Sequence, residues 1–93
     1  MPKTLGVGFV GAGSISDLHA PGYNEKSNSK IIAYTDANAE LAAVKAKKNG
    51  ADTSYATIEQ LLKDDRIDVV DICVPTAFHS KIAIQAADRK SVV

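Results

Sequence analysis

The 93-residue sequence has one cysteine, Cys73, no tryptophan, and only 5% aromatic residues. A single cysteine excludes an internal disulfide and a Cys-rich zinc centre, and no metal site is expected. Net charge is also missing, since eleven Lys and Arg balance eleven Asp and Glu. That argues against a nucleic-acid or membrane-surface binder, which would carry a basic excess, and few aromatics leave little platform for stacking bases. No apolar run reaches the roughly 20 residues of a membrane span, the N-terminus lacks a signal-peptide pattern, and no G-x-x-x-x-G-K-S/T phosphate loop occurs. These absences predict a cytoplasmic domain that engages neither nucleic acid nor membrane. What is present, 45% hydrophobic and 24% charged residues, suits one folded domain, and the length allows one core.

Four times a strand-like run precedes a helix-like one. Residues 4–10 set Leu5, Val7 and Phe9 on one face and Gly6 and Gly8 on the other, and glycine inside a strand marks close approach of another backbone. A helix is expected over 13–23, bent or frayed at Pro21–Gly22. Residues 30–35 form the second strand. Asp36 and Asn38 are N-cap candidates for a helix with Leu41, Val44 and Ala46 at apolar positions, stopped at Asn49–Gly50. A short strand over 53–55 leads to Thr57-Ile58-Glu59-Gln60, a capping box, with Leu61 and Leu62 as the buried face. Asp64–Asp65 reads as a solvated helix end. Residues 68–74 are apolar on both faces, as a central parallel strand is; Pro75 stops them, and a helix over 79–88 buries Ile82, Ala83 and Ala86. Val92 and Val93 begin a fifth strand. The alternation predicts an α/β fold, a doubly wound parallel sheet of four to five strands with helices on both faces.

The segment from Gly6 to Ser16 carries chemistry. A literal G-x-G-x-x-G at Gly6, Gly8 and Gly11 lies within the strand, where no helix N-terminus can receive a phosphate. The spacing in the right context is Gly11, Gly13 and Ser16, where the strand ends and a helix opens. Gly11 permits the turn, Gly13 allows a pyrophosphate close to the backbone, and Ser16 is small enough for helix–strand packing. The phosphates would take N–H groups around Ala12, Ser14 and Ile15 at the helix N-terminus. A tight turn with no ligand fits the glycines alone equally well. Asp36 tips the balance: it ends the second strand about 20 residues on, where an acid hydrogen-bonds the adenosine ribose and repels a 2′-phosphate. The expected cofactor is NAD, with NADP less favoured.

These residues resemble the Gfo/Idh/MocA oxidoreductases (glucose–fructose oxidoreductase, inositol dehydrogenase and rhizopine-catabolism relatives), whose N-terminal Rossmann domains read G-x-G-x-I-A with a nearby histidine. Here stand Gly11, Gly13, Ile15 and His19, then Asp36, then Tyr55 with Leu61–Leu62. Next comes Ile67-Asp68-Val69-Val70-Asp71-Ile72-Cys73-Val74-Pro75-Thr76-Ala77-Phe78-His79 against I-D-x-V-x-I-x-T-P-N-x-x-H. Ser16, Val74 and Thr76 depart from the usual Ala or Gly, Thr and Asn. The resemblance implies that Cys73, Val74, Pro75 and Thr76 pass beside the cofactor riboses, with Thr76 and His79 toward the nicotinamide. It also implies hydride transfer to a sugar- or polyol-type substrate in full-length relatives. Blander roles compete: helix capping for His79, packing for His19, and a core thiol for Cys73.

Relatives continue through A-G-K-H-V to a strand ending E-K-P, whose lysine is associated with catalysis, whereas this sequence reads Asp88-Arg89-Lys90-Ser91-Val92-Val93. The resemblance thus implies that 1–93 is a dinucleotide-binding domain incomplete at its C-terminus. The substrate domain and any catalytic residue are absent, and binding occurs without catalysis. It leaves the fourth strand at or near the sheet edge, where two chains would pair as a homodimer. The competing expectation is a non-catalytic nucleotide-binding or assembly module.

Overall fold

Alternation along β1 (Leu5–Val10) decides the layering. Val7 and Phe9 pack on one side of the sheet, while Gly8 on the opposite side meets Leu61 and Ile67. The computed structural model describes residues 4–25, 28–74 and 76–92. After β1 come α1 (Ser14–Glu25), β2 (Ser29–Thr35), α2 (Ala39–Lys48), β3 (Thr53–Tyr55), α3 (Ile58–Leu62), β4 (Val69–Ile72), α4 (Thr76–Ala87) and β5 (Ser91–Val92). The strands pair in parallel in the order β3-β2-β1-β4-β5. The sheet grows outward from β1 in both directions, so the winding reverses between β1 and β4.

Each face has its own core. Val7, Phe9, Ile31 and Tyr34 pack with Ala20 of α1 and with Ala42 and Ala46 of α2. Phe9 stacks on Tyr34 at 4.8 Å and meets Tyr23 edge-on at 5.7 Å, the offset and T-shaped arrangements that aromatic quadrupoles favour. On the other face, Val10, Ile32, Val70 and Ile72 pack with Leu61 and Leu62 of α3 and Ala86 of α4. The expected doubly wound α/β sheet, with five strands, is therefore what forms. The capping box is complete, Thr57 Oγ1 accepting from Gln60 N–H and Gln60 Oε1 accepting from Thr57 N–H. Asn49 caps α2, and Gly50 follows at φ 75°.

The differences from expectation have local causes. α1 runs through Pro21–Gly22 to Glu25; both residues lie on its exposed side, and beyond them Tyr23 is anchored on Phe9 and Asp71. Val44 is 60% exposed, because the buried stripe of α2 is Ala42 and Ala46. β4 ends at Ile72, not residue 74: its partner β1 ends at Val10, opposite Ile72, and α4 begins three residues earlier than expected, at Thr76. β4 is one strand in from the edge, with Ser91 and Val92 of β5 opposite Val69 and Val70. No helix among the described residues is long and apolar enough to cross a membrane.

Candidate functional site

The turn after β1 is held from both neighbouring strands. Gly11 N–H donates to the Thr35 carbonyl at 2.8 Å, and Cys73 N–H donates to the Val10 carbonyl at 2.7 Å. Gly11 has φ 98°, and a Cβ there would lie 2.4 Å from the Cys73 carbonyl oxygen, so only glycine satisfies both the backbone and the space. Two residues on, Gly13 is exposed, and a Cβ there would meet nothing within 4 Å. Ser14 and Ile15 are exposed in the first turn of α1, while Ser16 is fully buried with its hydroxyl donating to the Gly13 carbonyl at 2.7 Å. The turn is thus closed at Gly11 and open at Gly13, where an anion could approach the N-terminus of α1.

Asp36 ties this turn to the end of β2. Its Oδ2 accepts from Ala12 N–H at 2.7 Å and its Oδ1 from Asn38 N–H at 2.8 Å. The capping role considered for Asp36 belongs to Asn38, whose side chain accepts from Leu41 N–H. Asp36 caps no helix because it is already spent on the turn and on Asn38 N–H; each carboxylate oxygen keeps a further lone pair for a hydroxyl.

Beside Asp36 opens a cleft of about 640 Å³ at the C-terminal ends of the strands, spanning the reversal between β1 and β4. This is where ligands bind in open α/β sheets. Val10, Gly11, Asp36 and Ala37 line one side, Thr57 and Ile58 the start of α3, and Val74, Phe78, Lys81 and Ile82 the other wall. Of the residues expected around a cofactor, Gly11, Asp36 and Val74 line it. Ala12, Gly13, Ser14 and Ile15 continue from it around the turn. The Cys73 side chain packs instead with the opposite core. His79 lies in the first turn of α4, half-buried, three residues past the helix start, and so is not its capping residue. Pro75 and the side chain of Thr76 lie outside the described residues. Ala37, Thr57, Ile58, Phe78, Lys81 and Ile82 were not expected at a cofactor site. The capping box placed Thr57 and Ile58 at a helix start, the family motif included Phe78, and apolar spacing put Ile82 on a buried helix face, but none of these signals pointed to a cleft.

A second constellation lies on the α1 side of β4. Asp71, with 1% exposure, accepts from Tyr23 Oη at 2.8 Å and lies 2.8 Å from His19 Nδ1, both through Oδ2; Cys73 Sγ donates to its Oδ1 at 3.3 Å. Burial, the Asp71 charge and its hydrogen bond push the Cys73 thiol up to about 12, so it is not a thiolate nucleophile. Burial and the bond to Asp71 also push the Tyr23 hydroxyl up. His19, expected as packing, is 45% exposed and aimed at Asp71. Asp64, expected as part of a solvated end, is also engaged: its side chain is 5% exposed and bonded to Arg66 and Tyr55. The Arg66 guanidinium, with help from Tyr55, holds the Asp64 carboxyl well below the usual carboxylate range.

Residues 5–93 match the oxidoreductase family with NAD-binding Rossmann fold, Gfo/Idh/MocA. The chain is 34% identical over 92 residues to the uncharacterized oxidoreductase YrbE of Bacillus subtilis, covering 97% of this chain and 26% of YrbE. Among solved structures, GenD2 from gentamicin A biosynthesis in complex with NAD superposes with a TM-score of 0.92 at 27% identity, covering 99% of this chain and 26% of GenD2. Levoglucosan dehydrogenase in complex with NADH and levoglucosan gives 0.82 at 31% identity, covering 95% and 26%. The chain spans about a quarter of the length of the relatives it matches. The cleft at the strand reversal, the glycine turn and the family match agree: this chain belongs to the Gfo/Idh/MocA oxidoreductases, as their NAD-binding Rossmann domain.

Proposed function

We propose that the chain binds NAD in preference to NADP, as the cofactor-binding part of an oxidoreductase that transfers hydride to or from a sugar- or polyol-type substrate. The observation that carries this is the open backbone at Gly13 beside the cleft that Asp36 lines. The pyrophosphate lies along Gly11, Ala12, Gly13, Ser14 and Ile15, where N–H groups and the helix dipole favour negative charge. Asp36 takes the adenosine ribose hydroxyls, and the apolar wall of Ile58, Phe78 and Ile82 receives the adenine. Cys73, Val74 and His79 pass the nicotinamide half; Pro75 and the Thr76 side chain, expected there as well, lie outside the described residues. NAD in complex with GenD2 and NADH with levoglucosan dehydrogenase support a nicotinamide cofactor. The Asp36 carboxylate disfavours a 2′-phosphate; Lys81 on the same cleft is the feature that would favour one.

On this reading the 93 residues bind and do not turn over cofactor alone. Hydride transfer needs substrate and nicotinamide held in near-attack geometry, with an acid/base group in reach of the alcohol proton. The domain acts in the cytoplasm, and two chains pair along the outer edge of β5. A monomer mass at every concentration would overturn the pairing.

Calorimetry with NAD, NADP and ADP-ribose tests the central reading. NAD and ADP-ribose should bind comparably, at micromolar to millimolar affinity, about −8 to −4 kcal/mol, and NADP more weakly. Equal NADP binding would hand specificity to Lys81, and no binding by any of the three would sink the cofactor role. NADH formation by this chain alone with a sugar or polyol would overturn the claim that it binds without catalysing.

A further inference from the structure

His19, Asp71 and the Cys73 side chain do not line the cofactor cleft, and the proposed function uses Cys73 only where its chain passes the nicotinamide half. One donor atom from each lies within 4.8 Å of the other two. The closest separations are 2.8 Å for His19 Nδ1 to Asp71 Oδ2, 3.3 Å for Cys73 Sγ to Asp71 Oδ1, and 3.8 Å for Cys73 Sγ to His19 Nδ1. A tetrahedral zinc with nitrogen, oxygen and sulfur ligands at its usual bond lengths sets ligand–ligand separations of about 3.4–3.6 Å. The two Asp71 separations use different carboxylate oxygens, and with one donor atom per residue the set spreads to within 4.8 Å, so side-chain rotation must draw its widest pair in to close it around an ion.

We propose that His19, Asp71 and Cys73 form a binding site for a thiophilic divalent cation of the zinc class, with a fourth position open toward solvent. Asp71 is a buried carboxylate met by the His19 imidazole, the Tyr23 hydroxyl and the Cys73 thiol. Buried charges are paired or coordinate metals, and a divalent ion would compensate both Asp71 and the thiolate that metal binding creates. Mixed imidazole, carboxylate and thiolate donors select zinc-like ions over magnesium or calcium, which take oxygen. The Tyr23 hydroxyl on Asp71 Oδ2 supplies the outer hydrogen bond that orients a ligating carboxylate. His19 is 45% exposed, which gives an ion a way in. A Cys–His nucleophile fits less well, because the thiol donates to Asp71 at 3.3 Å, while the imidazole stands 3.8 Å from the sulfur.

The test is titration of the tag-free, reduced, metal-free chain with Co²⁺ and then Zn²⁺, read by absorbance and calorimetry. One Co²⁺ per chain should bind with a thiolate-to-cobalt charge-transfer band and strong four-coordinate ligand-field bands, and Zn²⁺ should displace it; Mg²⁺ and Ca²⁺ should not bind. Cys73→Ser should remove the charge-transfer band. His19→Gln, at a half-exposed position where folding should survive, should weaken Zn²⁺ at least tenfold, and Tyr23→Phe by a smaller factor. Cobalt binding without the thiolate band, or Zn²⁺ affinity unchanged in both His19→Gln and Cys73→Ser, would show a self-contained hydrogen-bonded cluster and overturn the site. The metal titration contains no dinucleotide, and NAD calorimetry can be run in chelator, so the two readings fail separately.

Discussion

Gly6 and Gly8 within β1, and Gly11 and Gly13 in the turn beyond it, carry the same two-residue spacing, yet the fold uses them differently. A Cβ on Gly6 would lie 1.8 Å from the Arg66 carbonyl oxygen, and one on Gly8 would lie 2.8 Å from a Leu61 methyl. These glycines are filled against by neighbouring chain. Gly11 is also closed, against the Cys73 carbonyl, while Gly13 faces open space. A spaced-glycine pattern therefore records two demands, close approach of the protein's own backbone and room for something else. The strand-to-helix junction separates them.

Gly6→Ala should have the largest effect. The obstructing atom is a backbone carbonyl, next to the bond from Asp68 N–H to Gly6 O at 2.8 Å, so relief requires moving β1 from the segment that enters β4. A loss of about 3 kcal/mol or more is expected in urea unfolding, and a loss below 1 kcal/mol would mean that the segment yields easily. Gly11→Ala comes next, at about 2–3 kcal/mol, combining positive-φ strain with contact on the Cys73 carbonyl. If it proved neutral, the turn would be as open there as at Gly13, and the contrast would vanish.

The layering was legible in the sequence because alternation in β1 and the apolar runs of β2 and β4 leave few ways to bury them. Gly11, Gly13 and Asp36 were legible because their spacing reflects a local strand-turn-helix. Asp71 was not. On an apolar strand it has no sequence neighbour to explain it, and its partners His19 and Tyr23 lie 52 and 48 residues away, joined only when α1 folds onto the sheet. Asp64 looked solvated because it follows Leu62 beside another acid, and only folding brings the Tyr55 hydroxyl within 2.6 Å of it. Phe78 fell outside the expected helix because α4 starts earlier than residue 79; Lys81 lay inside it, and only tertiary packing turns both to the cleft.

Asp64 offers a milder probe of the closed side of the comparison. It accepts from the Arg66 backbone N–H at 2.9 Å and from its guanidinium, and so fixes the carbonyl that meets Gly6. Its folded carboxyl is held below the ordinary value, while the unfolded one titrates near about 3.9. A lowered folded pKa contributes stability that is present above the unfolded value and lost as pH falls through the folded one. Asp64→Asn should therefore cost about 1–2 kcal/mol at pH 7, toward the low end because Arg66 is half exposed. The gap to wild type should hold at pH 5 and narrow below about pH 4. A gap that persists unchanged at pH 3 in urea midpoints would mean that the carboxylate charge is not what orders Arg66.

Gly13→Val should have the smallest effect on stability and is the sharpest test of the open side. Nothing lies within 4 Å of a Cβ there, and its φ is not in the left-handed region, so unfolding should shift by no more than about 0.5 kcal/mol. If the space is reserved for a pyrophosphate, the same branched side chain should stand where the phosphate oxygens meet the N-terminus of α1. NAD affinity should then fall at least tenfold, or about 1.4 kcal/mol. A stability loss like that of Gly11→Ala would make Gly13 one more packing glycine, and unchanged stability with unchanged NAD affinity would leave the turn open without a purpose. Only the split result, folding spared and binding lost, assigns the two glycines to different tasks.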